Sequence, residues 1–147
     1  MTDSLETQLR SQAANWRTII AKQDYFELPI NGDDTTSSAK YHAAQTLSNV
    51  EFVLNRIKHK SSGEQGRDLV TMDLQITTIS QSEVDAFTPE TLAYQIADLL
   101  GKIADAIGRQ SIVPGAQDLC QRLANDSALR ISTVQMFYAQ LDDEKDK

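Results

Sequence analysis

The chain has 147 residues, 40% of them apolar and 24% charged, and carries a formal net charge of −7. A chain of this length can close one core without disulfides or metals, and this balance excludes a disordered polymer. The acidic surplus works against coating nucleic acid or anionic lipid, and the single cysteine, Cys120, rules out an internal disulfide.

The charge is uneven. Residues 1–74 hold 8 Lys/Arg against 10 Asp/Glu, and residues 75–147 hold 6 against 11. The stretch from Met1 to Arg10 has no signal-peptide pattern, and the longest apolar run is Met136-Phe137-Tyr138-Ala139. That run is far too short to span a membrane, so a cytoplasmic address is the default expectation.

A first helix is predicted over about 3–23, because Leu5, Leu9, Ala13, Trp16 and Ile20 share one face. Asp3 and Glu6 have capping-box spacing, and Glu6 and Arg10 form an i,i+4 pair. Tyr25 to Ile30 reads as extended, since Pro29 turns Leu28 away from helix. Residues 31–38 form a turn followed by a run of helix caps.

A second helix is expected over about 38–60. Ala43, Leu47, Val50, Leu54 and Ile57 form a heptad-like seam suited to another helix, within the chain or in a second copy. The segment 68–80 alternates Val70, Met72, Leu74 and Ile76 with polar residues, a strand pattern rich in Thr and Ile. A lone strand needs a partner, either Tyr25–Ile30 or the same segment of a second subunit.

Thr88-Pro89-Glu90 starts a third helix, expected over 89–107, with Leu92, Ile96, Leu99, Ile103 and Ile107 on its inner face and Leu100 and Ala104 widening the stripe. Gly101 suggests a close helix crossing and Gly108 a stop. Two further helices are predicted over 115–124 and 128–141, separated by a break at Asn125-Asp126-Ser127. Asp142 to Lys147 reads as a charged, frayed tail. The expected fold is thus one mainly α domain over 1–147, a bundle of four to five helices with room for one short two-stranded β element.

Readable catalytic signatures are missing. There is no Cys-x-x-Cys, no P-loop, no nucleophile elbow and no dinucleotide fingerprint. His42 and His59 lie about 260° apart around a helix and cannot share a site from the same helix. No metal, cofactor or catalytic residue is therefore assigned. Asn31-Gly32-Asp33-Asp34 lacks the later acids of a calcium loop and reads as a turn. Cys120, spaced with Leu119 and Leu123, reads as core packing.

Arg56, Lys58, His59, Lys60 and Arg67 could grip a phosphate group, although a solvated helix end is the plainer reading. Residues 117–134 carry a degenerate helix-turn-helix pattern, but Arg130 is the one cation on the would-be reading helix. The last helix is apolar around much of its circumference. Met136, Phe137 and Tyr138, about 100° apart in succession, cannot all face one core and are the candidate partner-binding residues.

The functional expectation is a non-enzymatic interaction or regulatory protein that binds another protein, a basic one given the acidic surface, and forms a homodimer. The alternatives are a DNA-associated regulator using 117–134 and an enzyme with a dispersed site.

Overall fold

Ser4 starts the first helix, α1 (Leu5–Ala21), by accepting a hydrogen bond on Oγ from the Thr7 amide at 3.2 Å. The cap is thus Ser4, one residue beyond the expected Asp3. The computed structural model describes residues 4–28, 30, 38–58, 79–109 and 115–145. Leu9 and Trp16 are fully buried on the inner face of α1, with Leu5, Ile19 and Ile20 beside them.

The expected extended segment after α1 begins instead as a single helical turn, α2 (Gln23–Phe26). Burial decides this locally. A turn lets Tyr25 and the fully buried Phe26 fold back into the core, and apolar burial outweighs the local bias from Pro29.

Helix α3 (Ala39–Lys58) begins at Ser38, whose Oγ accepts from the Tyr41 amide at 3.1 Å. The seam Ala43, Leu47, Val50, Leu54 and Ile57 is buried in the chain's own core. It is therefore not the homodimer surface that its heptad spacing suggested. The expected strand residues Val70 to Ile76 lie outside the described residues, and no strand occurs among the described ones.

A short helix not foreseen from the periodicity, α4 (Gln81–Ala86), opens with a capping box between Ser80 and Glu83. Helix α5 (Pro89–Gly108) starts on the expected Thr88 cap. Within the expected stripe, burial centres on the side of Leu100 and Ala104. Leu92, Ile96, Leu100, Ile103 and Ala104 are fully buried, whereas Leu99 and Ile107 are half-buried. A Cβ on Gly101 would meet nothing within 4 Å, so Gly101 serves no close crossing. Gly108 is the tight position. A Cβ there would lie 2.9 Å from the Glu6 carboxylate.

The last helix is the main correction. Residues 116–145 form one continuous helix, α6 (Ala116–Lys145), with no break at Asn125-Asp126-Ser127. Those three residues are good caps in isolation. Here Asp126 and Ser127 bond to neighbouring helices instead, so neither has to end α6. The helix-turn-helix reading of 117–134 loses its turn.

The four long helices pack in a ring ordered α1, α5, α3, α6, with α1 facing α3 only weakly across the centre. Side-chain pairs set the directions. Arg10 meets Asp105 and Gln23 meets Glu90, so α1 and α5 are antiparallel. Gln8 meets Gln121 and Lys22 meets Asp142, so α1 and α6 are parallel. His42 meets Arg130 and Asn49 meets Asp126, so α3 and α6 are antiparallel.

It follows that α3 and α5 point the same way. Ahead of α4, the Ile79 amide donates to Gln45 Oε1 on α3 at 3.0 Å. With 89% of described residues helical, the domain is a mainly α bundle. No described helix is long and apolar enough to cross a membrane.

Candidate functional site

Helix α6 is 30 residues long and supplies both an internal seam and an outer surface. Its inner face runs through Leu119, Cys120, Leu123, Ser127, Ile131, Val134 and Tyr138, all buried. On the α1 side, Gln12 donates to the Ala124 carbonyl at 2.8 Å and the Trp16 indole donates to Ser127 Oγ at 3.0 Å. These bonds satisfy buried polar atoms, and leaving one unmade costs about 1–3 kcal/mol.

On the α3 side lies a chain of polar groups. Gln45 donates to Asn49 Oδ1 at 3.0 Å, and Asn49 Nδ2 donates to Asp126 Oδ2 at 3.0 Å. Arg130 Nε donates to the same Asp126 oxygen at 3.0 Å, while its Nη1 lies 3.0 Å from His42 Nδ1. An arginine can only donate, so His42 Nδ1 accepts and the ring is neutral. Burial first and the Arg130 charge second, with Asp126 offsetting part of both, bring the His42 pKa down from 6.5 to about 4. His42 is thus held without a charge by the fold, which suits a structural acceptor better than a general base. Burial also pushes the Cys120 thiol up to about 12, so it stays protonated and packs as an apolar group.

The three candidate partner-binding residues separate. Tyr138 lies in the core, with its hydroxyl donating to the Ile19 carbonyl at 3.1 Å and its ring edge-on to Tyr25 at 5.3 Å. Phe137 is half-buried beside it, 6.3 Å from the Tyr138 ring. Met136 points away from the core and is 66% exposed. Its companion is Leu129, 69% exposed and two turns earlier on the same line.

Around these two, Ala128, Ser132, Thr133, Gln135, Ala139 and Gln140 are also exposed, and none carries a charge. Residues 131–141 form the longest uncharged run in the chain. The next longest, residues 41–50, is mostly buried in the bundle. The run on α6 is uncharged while much of it faces water. This charge gap was readable in the sequence. Leu129, by contrast, joins Met136 only once α6 is seen to be unbroken.

The other expected site does not assemble into a describable whole. The Arg56 guanidinium stacks 4.6 Å over the Phe52 ring. Lys58 ends α3, while His59, Lys60 and Arg67 lie outside the described residues, as does the Asn31–Asp34 turn. Among the described residues, no three His, Cys, Asp or Glu side chains gather as a metal set would need.

An open groove of about 410 Å³ lies at the far end of α6, lined by residues including Lys22, Tyr25, Asp142 and Lys145. These groups bind one another. The Tyr25 hydroxyl donates to Asp142 at 2.8 Å, Lys22 reaches it at 3.2 Å, and the Lys145 ammonium sits 4.9 Å from the Tyr25 ring centre. Asp142 to Lys145 is therefore ordered helix fastened to α1 and α2, not the expected frayed tail. In comparison with known proteins, no protein-family model matches the chain, and neither a curated protein nor a solved structure matches it.

Proposed function

We propose that this protein acts without catalysis, by binding another protein through the outer face of α6. One observation carries the reading: Leu129 and Met136 are exposed in line on a surface that has no charge from Ile131 to Leu141. Solvated helix faces normally carry charges, and this chain is 24% charged. Depletion of charge with enrichment in Met is the compositional mark of an interface core.

The acidic surplus makes nucleic acid and anionic membrane poor partners, and a buried, protonated lone thiol suits a cytoplasmic setting. A basic partner would gain from Asp142, Asp143 and Glu144 at one end of the strip. The test compares tagged wild-type chain with a Leu129→Glu, Met136→Glu double variant in lysate of the source cells. Proteins retained by the wild type, its own untagged copy included, should be lost by the variant. Identical retained sets would refute the α6 surface.

A further inference from the structure

We infer that the outer face of α6 pairs with the same face of a second copy, the two helices antiparallel about a twofold axis between Ser132 and Thr133. This rests on the reading of α6 as a binding surface and names its occupant.

Self-complementarity under that axis supports the inference. Antiparallel pairing that sets Leu129 against the partner's Met136 also sets Ser132 against the partner's Thr133. The same register sets Asn125 against the partner's Gln140, so two amides meet that can exchange hydrogen bonds. One step further out, Arg122 meets the partner's Asp143, a cation against an anion. All these positions lie along one line of α6, opposite the stripe Ser127, Ile131, Val134 and Tyr138 that faces the core. Each contact occurs twice, as an isologous interface requires.

Through either Ser132 or Thr133, every step along the line from Arg122 to Asp143 is three or four residues, over about six turns, which is the spacing of a helix–helix seam. Ser132 and Thr133 at the axis are short enough for the backbones to approach. Net charge narrows the choice of face. Two copies, each at −7, repel at long range, and a locally neutral strip ended by one cation and one anion is a face where they can meet. Arg122 already reaches Asp118 on its own helix at 2.9 Å, so the partner's Asp143 would extend an ion pair into a small network. A strip this narrow covers less than the roughly 800 Å² per partner of a standard interface, so association in the micromolar range is expected.

Sedimentation velocity on the purified chain, from low to high micromolar, tests this. A concentration-dependent dimer is expected, and Met136→Glu should return it to monomer with an unchanged melting temperature. Arg122→Asp and Asp143→Arg should each weaken association by about two- to thirtyfold, the scale of an exposed ion pair lost at both ends of the twofold seam. The double swap should recover it, which only this register does.

A dimer indifferent to Met136→Glu, or swaps that fail to rescue each other, would overturn the pairing. A monomer throughout would also overturn it. If the Leu129, Met136 variant then still loses a captured partner, the α6 surface survives with a different protein on it. If the variant captures as the wild type does, both readings fall. A monomer that melts lower on Met136→Glu shows a face covered within the chain, which likewise ends both.

Discussion

Between Ala116 and Arg130, helix α6 carries its charges in pairs, Asp118 with Arg122 and Asp126 with Arg130; between Ile131 and Leu141 it carries none. The first half reaches both neighbouring helices through polar atoms: Ala124 and Ser127 toward α1, Asp126 and Arg130 toward α3. The second half packs mainly through rings, Tyr138 on Tyr25 and Phe137 at its flank. Internal polar pairing specifies which helix lies where, because each donor must find its acceptor. Apolar packing is less particular, and neither half gives the outer side of α6 a structural task that calls for Leu129 and Met136. The difference separates residues that hold the bundle from residues that need a purpose outside it.

The largest expected effect lies in the first half. Trp16→Ala removes a fully buried ring and the donor to Ser127 and should cost about 3–5 kcal/mol in urea unfolding. A loss under 1 kcal/mol would mean that the α1–α6 seam is not the framework described.

The pH dependence comes next. His42 has a folded-state pKa near 4 against 6.5 when unfolded. Between those values the unfolded chain binds the proton that the folded chain refuses. Stability is then intact above pH 6.5 and falls as pH drops toward 4, by up to about 3 kcal/mol. His42→Gln should flatten that slope in melts across this range. A slope that persists would place its origin elsewhere.

Asp126→Ala strips the shared acceptor from Asn49 and Arg130 and should cost about 1–3 kcal/mol by denaturant titration. In the second half, Tyr138→Phe loses one hydrogen bond to Ile19 and should cost about 1 kcal/mol. The smallest effect sharpens the comparison most. Met136→Ala should leave stability within about 0.5 kcal/mol of wild type while weakening association, whereas Phe137→Ala, half in the core, should lower both. If Met136→Ala destabilises as much as Phe137→Ala, the distinction between the two sides of α6 fails.

Several of these features were legible without coordinates. Heptad and 3.6-residue spacing marked the inner faces of α1, α3 and α5, and Thr88-Pro89 marked a helix start, because these signals arise within a few residues of chain. The charge gap of 131–141 was equally local, yet its meaning depends on exposure. In the uncharged run at 41–50 the same feature means burial in the core.

Tertiary structure alone decided the rest. Asn125-Asp126-Ser127 is a strong cap by itself; it stays helical because Asn49 and Trp16, 77 and 111 residues away in sequence, take up the side chains of Asp126 and Ser127. Tyr25 and Phe26 leave the extended state because a core is there to receive them. The helical periods of the sequence determined that this chain would be a bundle. Which apolar residues close that bundle and which remain outside was settled by long-range packing, since a side chain is buried only relative to neighbours that local sequence does not name.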